Sequence, residues 1–277
     1  MIGRRPTRPC VIGVDFSGAV GAGRLIWLAE ATPLRNGRLR LISCQPASAL
    51  PGSAEDRARC LAALVDYVAM RPDTAFGCDF PFSLPTALGG GAAWLDYVAA
   101  FARRFADAEA FRVACQVSAG RELRRVTDKE ARVPFCAWNI RLYRQTYHGI
   151  AGVLAPLALS GRAAVLPMQP ATPGRALLLE ICPASLLRRL GLYGKYGPYK
   201  GAAPACCAAR RQIFDSLVAA GLIEAPSPDL RQVILDNRGG DALDSAIAAI
   251  ACHRALQEPG FDRPRTRDEA FEGRVYF

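Results

Sequence analysis

Three apolar runs in this chain each stop on an acid: CVIGV on Asp15, AFGC on Asp79 and ALLL on Glu180. A carboxylate at the end of a buried strand is costly unless a cation or several hydrogen bonds meet it. If the three runs lie parallel in one sheet, their acids emerge together at the end where open α/β sheets bind ligands. Asp241 and Asp244, three apart in GGDALDSAIAAIA, add two carboxylates on roughly one side of a helix start. Carboxylates gathered within about 4–6 Å repel one another, and a divalent cation relieves that repulsion. The hard oxygen donors of Asp15, Asp79, Glu180, Asp241 and Asp244 suit one or two Mg²⁺ or Mn²⁺ ions, the usual apparatus of phosphodiester hydrolysis. Plainer roles exist for some of them: turn formation for Asp15 and Asp79, a first-turn helix charge for Asp241. Glutamate forms turns poorly, so Glu180 has the weakest alternative.

An anionic substrate at such a site needs donors, for which Ser17, Arg124, Arg125, Lys195 and Lys200 are the candidates, with solvated surface charge the alternative for each cation. All three lysines of the chain, Lys129, Lys195 and Lys200, fall in two irregular segments, RRVTDKE and KYGPYKG.

The elements that must position these groups follow from periodicity. CVIGVD, RLIWLAEAT and RLRLISCQ read as three strands of an antiparallel meander, the last two joined around Asn36-Gly37. Residues 55–70 carry apolar side chains at helical spacing, and TAFGCD then reads as a strand parallel to the first, reached by a right-handed crossover. Residues 92–160 read as a mostly helical insertion. ALLLE is a further strand, followed by a helix with Pro183 near its first turn. After the loop LYGKYGPYKG comes a helix in APACCAARRQIFDSLVAAGL, and the last strong helix opens at NRGGD.

With 277 residues, 51% of them hydrophobic, the chain can bury a substantial core, and no long linker divides residues 1–277 into separate domains. A formal charge of +10 favours an anionic partner such as nucleic acid or a nucleotide, although an arginine-rich composition explains part of it. The ten cysteines lie scattered in apolar stretches without a CxxC pair, which points to a reduced, cytoplasmic protein. MIGRRPTRP is basic, yet the apolar run after it is too short for a signal peptide, and no stretch is long enough to cross a bilayer. The sequence leaves the oligomeric state open.

The motifs GVDFSGA, CDFPFSLP, LEICPASL and GDALDSA, in that order, together with RRVTDKE and YKG, resemble those of domain-of-unknown-function family 429, described as predicted nucleases of the RNase H-like fold. The resemblance runs from about Val11 to Ala255. It implies an α/β fold with an RNase H-like mixed sheet, three antiparallel strands and then parallel ones, flanked by helices. It also implies catalytic acids at Asp15, Asp79, Glu180 and Asp244. Ser245 stands where such families commonly carry alanine, a small-for-small change. In the two-metal mechanism that follows, Asp15 is the acid expected to bridge the ions. Two other classes compete. A non-catalytic member of the fold would bind nucleic acid or a protein, with Tyr193, Tyr196 and Tyr199 available to stack on bases. An actin-like or sugar-kinase-like phosphotransferase also opens with a strand, an Asp and a small-residue turn, but the latter half holds no second VDFSG-like stretch.

Overall fold

The computed structural model describes residues 10–89 and 91–277, so the basic stretch read above for a targeting signal lies outside the described residues. Strands β1 (Cys10–Asp15), β2 (Trp27–Pro33) and β3 (Leu39–Pro46) form the expected antiparallel meander, with the short helix α1 (Ala22–Leu25) between the first two. Helix α2 (Arg57–Ala69) starts where the Asp56 side chain accepts the Arg59 N–H at 3.0 Å. It buries Leu61, Leu64 and Val68 and delivers the chain to β4 (Thr74–Asp79), parallel to β1.

The segment between β4 and the next strand is helical, as expected: α3 (Trp94–Arg104), α4 (Ala108–Ala119), α5 (Val126–Glu130), α6 (Tyr143–Gly149) and, after a π-helical turn, α7 (Ala155–Leu159). RRVTDKE, read as irregular, contains α5. A four-residue strand that the sequence did not announce, β5 (Ala163–Leu166), precedes β6 (Ala176–Ile181). Helices α8 (Pro183–Arg189), α9 (Pro204–Ala219), α10 (Pro228–Asp236), α11 (Asp241–Gln257) and α12 (Glu269–Glu272) follow, and β7 (Val275–Tyr276) ends the chain. The sheet order is β3-β2-β1-β4-β6-β5, and every pairing from β1 towards β5 is parallel. β5 and β7 share the outer edge of β6, pairing with residues 176–179 and 180–181 in turn.

Because strand side chains alternate, each strand feeds two cores. Ile12, Val14, Phe76, Cys78 and Leu178 pack among the helices of the insertion and α2. Val11, Ala75, Leu177 and Leu179 face the opposite layer, built from α11 with α9 and α10. Gly13 and Gly77, paired across β1 and β4, lie under α11. A methyl group on Gly13 would stand 1.9 Å from the Ser245 carbonyl oxygen, and one on Gly77 would stand 2.7 Å from Cys252 Cβ. The missing side chains and the alanines of α11 let helix and sheet approach closely, and this fixes where the first turn of α11 ends up. No helix among the described residues is long and apolar enough to cross a membrane.

Candidate carboxylate site

Asp15 and Asp79 are register partners at the ends of two parallel strands, so both side chains leave the sheet on the α11 face. Asp244, one turn into α11, is set beside them by the close packing over Gly13 and Gly77. Glu180 pairs in register with Cys78, one residue short of Asp79, and so points to the opposite face. The three strand-end acids do emerge at one end of the sheet, but a single residue of register divides them.

The group on the α11 face is organised by a cation. Lys200 Nζ stands 2.6 Å from Asp244 Oδ2, and the Tyr199 hydroxyl donates to Asp244 Oδ1 at 2.8 Å. Buried Arg210 of α9 holds this strap by donating to the carbonyls of Tyr199 and Gly201 at 2.7 and 2.9 Å, while the Gly201 N–H donates to the Arg238 carbonyl at 2.7 Å. Burial holds Asp15 well above the usual carboxylate range; Lys200 opposes the shift, and Asp244, Asp79 and Asp241 add to it. Burial, followed by the charge of Asp244, pushes Asp79 up to about 7 against the pull of Lys200. Asp241, half-buried at the rim, is also raised by burial. For Lys200 burial works against the charge, but Asp244 and Asp15 outweigh it and keep the ammonium protonated.

The opposite face carries a separate ion cluster. Arg125, only 1% exposed, spends all five of its N–H donors: on both oxygens of Glu180, on both oxygens of Asp128, and on the Glu272 carbonyl at 2.9 Å. Glu180 Oε2 also accepts the Phe82 N–H at 2.9 Å. Glu272 reaches back to the N–H groups of Thr86 and Val126 at 2.8 and 2.7 Å, which ties the C-terminal segment into the cluster. The sequence offered Glu180 as a metal ligand and Arg125 as a phosphate donor; here the Arg125 donors are all engaged within this cluster, and Glu180 is held by that guanidinium on the face of the sheet opposite Asp15 and Asp79.

A cleft of about 460 Å³ joins the two groups, lined by Asp15, Ser17, Asp79, Arg125, Glu180 and Lys200 among others. Ser17 faces it with a hydroxyl that accepts the Ala19 N–H at 3.3 Å. Arg124 is exposed and donates to the Pro134 carbonyl at 2.9 Å, and exposed Lys195 lies over Tyr196; neither lines this cleft. Among the described residues no three Asp, Glu, His or Cys side chains converge closely enough to enclose a metal ion. Asp15, Asp79 and Asp244 present hard carboxylate oxygens, and Lys200 holds the countercharge among them. Sequence reasoning missed Tyr199 as a partner of Asp244, Asp128 as the mate of Arg125, and Arg210 as the support of the strap. RRVTDKE and YKG stood out, but nothing local told which acid each would meet. Comparison with protein-family models, with curated proteins and with solved structures finds no match to this chain.

Proposed function

We propose that the chain is an RNase H-like phosphodiester hydrolase that depends on a divalent cation and acts on nucleic acid or a nucleotide, with Asp15, Asp79 and Asp244 as metal ligands. One observation carries the reading: carboxylates at the ends of β1 and β4 and in the first turn of α11 gather around a single ammonium whose side chain is 53% exposed, and Asp15, Asp79 and Asp241 line the cleft beside it. Three antiparallel strands followed by parallel ones, together with the motif resemblance, support the RNase H-like assignment. Bound there, Mg²⁺ or Mn²⁺ would supply Lewis-acid polarisation of the phosphate and a water acidic enough to attack it. The chain's own residues do the rest. Asp15 and Asp79 hold their spacing through strand register, and Asp244, paired here with Lys200, would be the third residue to hold the ion. The Lys200 ammonium would then be available to a non-bridging phosphate oxygen. The Arg125–Glu180–Asp128 cluster braces the cleft wall without touching substrate. Ten free cysteines, most of them buried, suit a reducing, cytoplasmic setting for such an enzyme.

Calorimetric titration with Mn²⁺ tests the reading on folded variants. We expect Asp15→Asn to abolish uptake, Lys200→Met to tighten it by removing the competing charge, and Glu180→Gln to leave it within a few-fold of wild type. If wild type takes up neither Mn²⁺ nor Mg²⁺, with or without an oligonucleotide, the hydrolase reading is wrong. The Lys200–Asp244–Tyr199 arrangement would then favour the second reading, a binding module in which lysine permanently replaces the metal.

A further inference from the structure

The carboxylates open on a second side into a groove of about 750 Å³, lined by Asp79, Arg141, Tyr193, Pro198, Lys200 and Asp244 among others. Cleft and groove meet at Asp79, Cys182, Ala184 and Lys200, so the acids stand at the junction of two openings and not at the bottom of a blind pocket. Each opening carries an aromatic ring with a guanidinium over it. In the groove Tyr193 is 48% exposed, with Arg188 Cζ 3.9 Å from its ring centroid, and Arg188 is itself anchored by donating to the Arg132 carbonyl at 3.1 Å. In the cleft Phe135 is half-buried, with Arg141 Cζ at 5.2 Å. Gly194 and Gly197, both at positive φ, turn the loop around the groove rim and keep it low.

We infer that this surface takes a single-stranded polynucleotide, with one base stacked on Tyr193, another on Phe135, and the phosphodiester between them carried to Asp15, Asp79 and Asp244. The Arg188 guanidinium covers one face of Tyr193 and keeps the ring upright, leaving the other face for a base. An exposed ring backed by a cation is how sequence-tolerant single-strand binders hold bases. A duplex buries its base faces and cannot use such rings. Two open ends admit a strand on both sides of the acids, so cutting would be internal. The position of the scissile bond rests on the hydrolase reading; the stacking does not.

The test is fluorescence anisotropy with labelled oligo(dT) and oligo(rU) in excess EDTA, so that binding is read without metal or cleavage. Wild type should bind the single strands and bind a duplex of equal length more weakly. Tyr193→Ala should lose about 5- to 100-fold, the range expected for removal of one stacking ring, while Tyr193→Phe stays near wild type. An oligonucleotide abasic throughout should bind Tyr193→Ala and wild type alike. Preference between the DNA and RNA probes identifies the substrate. The inference is overturned if Tyr193→Ala binds as wild type does, if the duplex binds as well as the single strand, or if only mononucleotides bind. Failure of Mn²⁺ uptake with stacking intact would count against the hydrolase reading alone.

Discussion

Asp244 and Glu180 are both buried acids, yet they differ in what pairs with them: an ammonium on a half-exposed stem for one, a fully buried guanidinium for the other. A group that can leave permits exchange for a metal or a phosphate, whereas one locked by five hydrogen bonds is structural. Arg125→Ala would leave Glu180 and Asp128 buried without their cation, and we expect a loss of about 3–5 kcal/mol, read from urea denaturation. Asp79 adds a pH dependence whose sign is fixed. Its folded value of about 7 lies above the unfolded value of 3.8, so the native state holds a proton that the unfolded state has lost. The carboxyl has no effect on stability below the unfolded value; stability falls as pH rises from 3.8 towards 7 and stays lowered above that. Asp15 and Glu180, also raised, act with the same sign. Urea midpoints in metal-free buffer should therefore drop between pH 5 and pH 8, and drop less in Asp79→Asn.

The helix α11 and the strands beneath it form the unit that builds the carboxylate group. Where the helix crosses β1 and β4 it presents Ser245, Ala248, Ala249 and Cys252, and Gly13 and Gly77 carry no side chain to hold it off the sheet there. Gly13→Ala forces a methyl into the Ser245 carbonyl, a backbone atom that moves only with the helix. We expect a loss of at least about 1–3 kcal/mol and a change in Mn²⁺ affinity, since Asp244 rides on the displaced turn. Gly77→Ala presses on the same helix, so the two effects should not add; a double-mutant cycle by chemical denaturation measures the coupling.

Across the whole molecule, a basic chain surrounds an acidic centre. A charge of +10 favours the approach of a polyanion, and under the proposed reading the carboxylates would select what reaches the cleft. The cysteines show how thoroughly the interior is closed. All ten are free, and burial raises the thiols of Cys10, Cys60 and Cys136 to about 11 and those of Cys44, Cys115 and Cys182 to about 12. The thiolate is the reactive form, so these six thiols should react slowly with a disulfide reagent in the native protein at neutral pH, whereas unfolding in guanidinium without reductant should release ten reactive thiols.

The sequence by itself determined the local matters. Alternation and turn residues marked the meander, the glycine-alanine run marked the last helix, and an acid after each apolar run marked the strand ends that matter. Those signals depend on neighbours a few residues away, which is why Asp15, Asp79, Glu180, Asp241 and Asp244 stood out together in the sequence. Only the tertiary structure decided the rest. Glu180 reads like Asp79 in sequence, but the β4–β6 register, set by packing across the sheet, turns it to the other face and into the grip of Arg125. Lys200 reads as a donor to an anionic substrate or as a surface charge, but Arg210, Gly201 and Arg238 fold its loop back so that the ammonium meets Asp244. Both outcomes rest on pairings between residues tens of positions apart, and a periodic pattern along the chain carries no information about those.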